Sequence, residues 1–344
     1  MKIGHHDTDD RIFIVAEVGN NHEGSRALAE ELIGRAGAAG ADAVKFQTIV
    51  PERLVAWTET ARRTQLQRLC LTYDDFVHLA AVAQRAGIIF FSTPFDIESV
   101  TFLDAFVPVF KVASGDHTCP QMLRAVAATG KPIICSTGFG TLESVANAKH
   151  CIDTEWETRG IRSELAFLHC VASYPVPRDQ VNLRAIATLA TTFPACTIGY
   201  SDHALGIEAA VAAAAIGARI IEKHFTLDHR TSDLRDHQLA ADSSELRALV
   251  TQIHEMEAMR GTGEKRPQPG ELAIAEVSQR SLAAARDLPV GHVLSARDLT
   301  FLRPARGIPA HAFDRVIGTT LTRPMAAGEL LTEEAVRMGY PILA

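Results

Sequence analysis

No apolar run in this chain approaches the roughly 18 residues that would span a bilayer as a helix. The opening Met1-Lys-Ile-Gly-His-His-Asp-Thr-Asp-Asp10 also lacks the apolar stretch of a secretory signal. Positive charge is short: 34 Lys and Arg stand against 41 Asp and Glu, for a net charge of −7 and a pI near 6.1. That balance argues against a nucleic-acid or anionic-membrane surface, while leaving room for a locally basic pocket. The six cysteines (Cys70, Cys119, Cys135, Cys151, Cys170, Cys196) include no C-x-x-C pair, so they read as small buried hydrophobes of a reduced compartment rather than a disulfide or zinc framework. No G-x-G-x-x-G follows the first apolar run, which weakens a dinucleotide-binding reading. These absences leave a cytoplasmic globular protein as the expectation. A composition of 47% hydrophobic and 22% charged residues over 344 positions agrees with it.

From Arg11 the chain alternates short apolar runs with longer amphipathic ones. The short runs are Ile12–Ala16, Ala43–Phe46, Ile88–Phe91, Val107–Val112, Pro132–Cys135, Leu165–Leu168, Cys196–Gly199 and Arg219–Ile221. Between them lie Ala-, Leu-, Glu- and Arg-rich stretches: Ser25–Gly40, Tyr73–Gly87, Cys119–Gly130, Thr141–Ile152, Asn182–Phe193 and Gly206–Gly217. Several end in glycine just before the next run, as helix C-termini do. Eight strand–helix repeats in about 250 residues predict a closed (β/α)8 TIM barrel rather than an open doubly wound sheet. Ser243–Arg260 reads as its closing helix. The expected organisation is an N-terminal extension over 1–10, a barrel over 11–261, a Gly- and Pro-punctuated linker over 262–276, and a small, mostly β module over 277–344.

In a barrel of this type the active site forms at the C-terminal ends of the strands. Those ends carry Glu17; Lys45 and Gln47; Ser92-Thr93-Pro94-Phe95-Asp96; Lys111, Ser114 and Asp116; Ser136-Thr137; His169 and Tyr174; Ser201-Asp202-His203; and Glu222-Lys223-His224. Two lysines inside apolar strands, with hydroxyls at neighbouring ends, suit an anionic ligand; buried ion pairs with Glu17 or Asp116 are the other reading. Glu17 is a candidate general acid/base or a lysine counter-ion. His203 and His224 end neighbouring strands and suit one divalent metal, with hydrogen-bonded core histidines as the alternative.

The motifs then fall into a known pattern. Ala16-Glu-Val-Gly-Asn-Asn-His-Glu-Gly24, Val44-Lys-Phe-Gln47, Ser92-Thr-Pro-Phe-Asp96, Lys111-Val-Ala-Ser-Gly115, Ser136-Thr-Gly138, Leu168-His-Cys170, Tyr174-Pro175, Gly199-Tyr-Ser-Asp-His203 and Glu222-Lys-His-Phe-Thr226 run through the barrel. Arg280-Ser-Leu282, Arg303-Pro304 and Val316-Ile-Gly318 lie beyond it. End to end, the chain resembles the sialic acid synthases, phosphoenolpyruvate-dependent nonulosonic acid synthases with a barrel and a C-terminal antifreeze-like (SAF) domain. The resemblance implies a divalent metal, manganese with magnesium or cobalt as substitutes, on His203 and His224. It implies phosphoenolpyruvate against Lys45, Thr93, Lys111, Ser114, Ser136 and Ser201, with Tyr174 close by. It makes Glu17 the proton-handling carboxylate and Gln47 a sugar contact, and it counts Asp116 and Asp236 among the substrate-binding residues. It also implies a domain-swapped homodimer in which Arg303 reaches the partner's barrel. The reaction implied is condensation of phosphoenolpyruvate with an open-chain N-acetylmannosamine-type sugar, releasing phosphate by C–O cleavage.

The departures bear on the sugar. Asp116 stands where most relatives have Glu, Ala172 where some have Asn, and Phe139 where a Met follows Ser-Thr-Gly. The loop Thr226–His237 carries an extra residue and places Arg235 beside Asp236-His237. The acceptor's substituents are therefore open. Two rivals stand beside the synthase: a Schiff-base aldolase or lyase using Lys45 or Lys111, and a non-catalytic sugar-binding protein.

Overall fold

Strands of a parallel sheet covered on both faces read as unbroken apolar runs. Phe13–Gly19 (β1) opens in that way and is broken by a single charged residue, Glu17; all seven of its residues are buried. The other strands are Ala43–Thr48 (β2), Ile89–Pro94 (β3), Phe110–Val112 (β4), Ile133–Ser136 (β5), Leu165–Cys170 (β6), Thr197–Asp202 (β7) and Ile220–His224 (β8). In this computed structural model, which describes residues 1–231 and 234–337, one parallel ladder runs β3-β2-β1-β8-β7-β6-β5-β4. Its end strands β3 and β4 are neighbours, so the sheet curls into a near-closed eight-stranded barrel, the TIM-like architecture expected. β4 is shorter than the Val107–Val112 run because Pro108 cannot donate to a ladder.

Helices wrap the barrel: Arg26–Ala39 (α1), Tyr73–Arg85 (α2), Ile97–Leu103 (α3), Pro120–Ala127 (α4), Leu142–Arg159 (α5), Arg184–Thr192 (α6), Glu208–Ala215 (α7) and Ser243–Arg260 (α8). Their starts are written locally. Thr72 with Asp75, Thr141 with Ser144, and Asp242 with Glu245 form reciprocal capping boxes. α5 runs a further seven residues past Ile152, to the left-handed Gly160 that caps it. Two short helices, Pro51–Leu54 and Thr60–Gln67, interrupt the β2–α2 connection. No helix among the described residues is long and apolar enough to cross a membrane.

Gly199 is dictated by close approach. A Cβ there would sit 2.5 Å from both the Ile220 carbonyl oxygen and Leu168 Cδ2, so only glycine lets β7 lie this tightly between β6 and β8. The first ten residues form more than an extension. Lys2–Ile3 and His6–Asp7 pair as an antiparallel hairpin, and Ile3 is wholly buried in the barrel's own core.

The first compact unit is Met1–Thr262; a second begins at Gly263. Within the stretch expected as linker the chain forms a turn, Pro269–Glu271, and enters a helix, Leu272–Ser278. The second unit then pairs Ser281–Ala284 (β9) with Leu299–Leu302 (β10), and Thr320–Leu321 (β11) with Val336–Arg337 (β12), both antiparallel. Its small core gathers Leu282, Leu294, Leu299, Val316, Leu321 and Leu331. Residues 338–344 of the expected module lie outside the described residues.

Candidate active site

The ends of the barrel strands enclose a cavity of about 230 Å³. Glu17, Lys45, Gln47, Thr93, Lys111, Ser114, Ser136, Tyr174, Ser201, His203, His224 and Asp236 all line it, although they come from strands and loops spread over 220 residues. Alternation along each strand aims every second side chain inward, and parallel register sets the neighbours. Glu17 lies opposite Lys45 on one side and His224 on the other. A register shift follows Glu17, as a bulge produces.

The deepest groups form one charge network. Lys45 Nζ is 2.7 Å from Glu17 Oε2, 3.8 Å from Glu222 Oε1, and donates to Thr93 Oγ1 at 3.1 Å. Lys111 Nζ donates to Ser136 Oγ at 2.7 Å and lies 3.8 Å from Glu222 Oε1. Ser201 Oγ donates to the same Glu222 oxygen at 3.1 Å. Gln47 Nε2 donates to Glu17 Oε1 at 2.9 Å, and Asn20 in turn donates to Gln47. Burial raises the Glu17 proton affinity, and the Lys45 charge only partly offsets it. Burial also acts on Glu222, but Lys111 and Lys45 outweigh it and hold that carboxyl below its ordinary range. Lys45 is the converse: burial pulls it down, yet Glu17 and Glu222 keep it above a free lysine. For Lys111 burial prevails and its pKa is lowered.

Beside this network stand the two histidines, ring centres 5.3 Å apart. His203 Nδ1 donates to the Val171 carbonyl at 2.9 Å, which fixes the tautomer and leaves the Nε2 lone pair available. His224 Nδ1 is buried without a hydrogen-bond partner among the described residues. Burial, reinforced by the neighbouring His224, pushes His203 down to about 4, and burial lowers His224 as well. Both imidazoles are therefore neutral, the form that ligates a metal. A buried ring nitrogen without a partner fits a bound ion. A different group, His229, Asp242 and Glu245, also brings ligand atoms within 4.8 Å of one another. There Asp242 and Glu245 already serve as the capping box of α8, which accounts for the arrangement without an ion.

Toward the mouth, Tyr174 packs on His203 at 4.1 Å between ring centres, and the Arg235 guanidinium lies 4.3 Å over the Tyr174 ring. Asp236 faces the cavity, while its neighbour His237 turns away to hydrogen-bond Thr226 Oγ1 at 2.7 Å. Among the predicted residues of the first unit, Asp116 is half-buried and not part of the cavity wall. Arg303 belongs to the second unit, where it is exposed. Conversely, Asn20, Arg62, Glu222 and Arg235 line the cavity without having been assigned a role from sequence. Glu222 was legible by strand alternation, two residues before His224; Arg62 sits on the short Thr60–Gln67 helix and carries no motif. A larger neighbouring cavity of about 600 Å³ shares Phe139, Cys170 and Ala172 with this one, but its wall holds a single ionic side chain, Arg184, so the chemistry belongs to the smaller.

Residues 32–265 match the family model described as the NeuB family, and residues 279–337 match the SAF domain. The chain belongs to the NeuB family. It is thus a nonulosonic acid synthase of the phosphoenolpyruvate-dependent transferase class. Among its NeuB relatives, the N,N'-diacetyllegionaminic acid synthase of Legionella pneumophila is 37% identical over 340 residues, covering 94% of each chain. The pseudaminic acid synthase of Campylobacter jejuni is 31% identical, covering 98% of this chain and 100% of that one. The crystal structure of the N-acetylneuraminic acid synthetase of Leptospira borgpetersenii, solved with citrate, superposes with a TM-score of 0.75 at 32% identity, covering 80% of this chain and 95% of that one.

Proposed function

We propose that this NeuB-family synthase condenses phosphoenolpyruvate with the open-chain form of an N-acetylmannosamine-type sugar, and that the acceptor carries a second acetamido group. The observation that carries the reaction is the joining, in one cavity, of two buried lysines flanked by hydroxyls with a pair of buried neighbouring histidines. The second acetamido group follows the Legionella relative, whose name specifies a diacetylated product. In this reading Lys45, Lys111, Thr93, Ser114, Ser136 and Ser201 hold the phosphate and carboxylate of phosphoenolpyruvate. Gln47, Tyr174, Asp236 and Arg235 face the sugar, and Asp116 supports that wall. A divalent ion on His203 and His224, manganese with magnesium or cobalt as substitutes, supplies Lewis-acid polarisation of the aldehyde oxygen when bound.

The cradle holds C3 of phosphoenolpyruvate against the aldehyde carbon, and that C–C bond forms first. Water then adds at C2, and the tetrahedral product releases phosphate by C–O cleavage. Glu17, whose burial favours the protonated state, holds and returns the proton at these oxygens. Lys45 is kept charged by two carboxylates, so it serves as a point charge rather than an amine nucleophile. A homodimer in which Arg303 of one subunit completes the other's site belongs to the same proposal.

The test is phosphate release from phosphoenolpyruvate with MnCl2 and a panel of 2-acetamido and 2,4-diacetamido hexoses. Turnover is expected to be fastest with a diacetamido hexose and to disappear with EDTA or in His203→Ala. Faster turnover with plain N-acetylmannosamine removes the second acetamido group. Absence of turnover with every acceptor, despite measured phosphoenolpyruvate binding, removes the reaction. Borohydride trapping of pyruvate on the protein would favour the Schiff-base rival instead.

A further inference from the structure

Strand alternation that turns Ser201, His203, Glu222 and His224 into the cavity must turn Asp202 and Lys223 out of it, into the layer between sheet and helices. In a parallel barrel that layer is apolar. Here it holds an ion pair: Lys223 Nζ lies 2.9 Å from Asp202 Oδ2, with side chains 1% and 0% exposed. The two residues face each other across the β7–β8 ladder, and theirs is its last register pair before the histidines. Each immediately precedes one of the two histidines.

The pair also grips backbone. Asp202 Oδ1 accepts the Ala204 N–H at 2.8 Å and the Tyr200 hydroxyl at 2.9 Å, and Lys223 Nζ donates to the Ala204 carbonyl. Ala204, the residue after His203, is thus held at both its N–H and its C=O, where regular pairing with β8 has ended. His224 is secured separately: its carbonyl accepts the Ala241 N–H at 2.7 Å, and the Phe225 N–H donates to the Glu17 backbone carbonyl at 2.8 Å. A buried ion pair is a poor source of stability, because desolvation consumes most of its attraction, and apolar residues of similar size do as well or better. What it supplies that apolar packing does not is direction.

We propose that the Asp202–Lys223 pair is a positioning device that fixes the spacing of the His203 and His224 imidazoles from behind, and thereby sets the affinity of this chain for its divalent ion. The proposal rests on the assignment of those histidines as the metal pair. Neither Asp202 nor Lys223 touches the substrates or the ion.

The test titrates metal-free full-length protein with MnCl2 and follows free Mn2+ by electron paramagnetic resonance. The double variant Asp202→Asn/Lys223→Met removes both charges and keeps size and the acceptor for Ala204. It is expected to retain its melting temperature within a few degrees while its Mn2+ dissociation constant rises about 10- to 100-fold, the usual cost of losing support behind a metal ligand. Activity should return as MnCl2 is raised, with phosphoenolpyruvate binding unchanged, and Lys223→Arg should recover most of the affinity. Should the double variant not fold, Tyr200→Phe removes one bond to the same carboxylate and is expected to weaken Mn2+ binding several-fold. An unchanged dissociation constant in whichever of the two folds overturns the proposal. His203→Ala and His224→Ala separate the two failures. If they too bind Mn2+ like the parent, the metal assignment falls. If they lose it while the variants behind them do not, only the positioning role falls.

Discussion

Glu17 and Glu222 sit on adjacent strands, share Lys45 as a neighbour, and lie wholly inside the barrel, yet their proton affinities diverge. Glu222 has two lysines and a serine hydroxyl around it and stays ionised; Glu17 is buried with one lysine and beside the Glu222 charge, and is pushed toward its protonated form. Environments that drive two carboxyls apart are how a site obtains one fixed charge and one mobile proton. Glu17→Gln keeps an oxygen beside Lys45 but loses the titrating proton. It is expected to lower kcat for phosphate release about 10²- to 10⁴-fold and to change phosphoenolpyruvate affinity only a few-fold. Calorimetric titration with phosphoenolpyruvate beside steady-state rates checks both, and a loss in affinity matching the loss in rate would recast Glu17 as a lysine counter-ion.

The second unit shows how one carboxylate organises an element. Asp298 accepts hydrogen bonds from His292, from Ser295 through both its N–H and its hydroxyl, and from Arg286, and these hold its pKa well below the ordinary 3.8. A depressed folded-state value means that the stabilisation is complete above about pH 4, the unfolded value, and is lost as pH falls through the folded one. Asp298→Asn should therefore destabilise this unit by about 2 kcal/mol at pH 7. The gap to the parent should narrow steadily below pH 4; denaturant melts at pH 7, 4 and 2.5 measure it, and a gap independent of pH would mean that charge is irrelevant there. Elements differed in how openly the sequence declared them. β1 to β8 were legible because two-sided burial writes an apolar run, and α8 because Asp242 and Glu245 announce its start. The first hairpin was not, since Lys2–Asp7 is short and half polar and its burial comes from a barrel still unformed at that point in the chain. The helix Leu272–Ser278 hid behind the Gly- and Pro-rich run before it. In the site, motif residues were found because strand ends locate them, whereas Arg62 and the Arg235–Tyr174 stack depend on how the short helices Thr60–Gln67 and Arg235–Leu239 are carried by the strand-to-helix connections, which no periodicity encodes. Asp202 and Lys223 were visible as polar residues among strand ends, but only the ladder register reveals that they face each other.

For the whole molecule, the proposed dimer makes a quantitative prediction. Arg303→Ala and Glu17→Gln are each expected to be nearly inactive alone. Mixed in equal amounts and allowed to exchange subunits, they should regain about one quarter of parental activity, because half the dimers are mixed and each has one site with both residues intact. No gain over the separate variants, with exchange confirmed by labelled subunits, would place Arg303 outside the site or within its own subunit's. The barrel's closure has a further consequence, which concerns time. Glu17 acquires its neighbour His224 only when β8 pairs with β1, 207 positions later in the chain. At ordinary elongation rates of about 5–20 residues per second, that interval is on the order of 10–40 s on the ribosome. Glu17 and Lys45 can meet as soon as β2 emerges, but the open edge of β1 and the Glu222 and His224 contacts wait for β8, so the nascent chain passes through an extended period of exposed apolar edge before any catalytic centre exists.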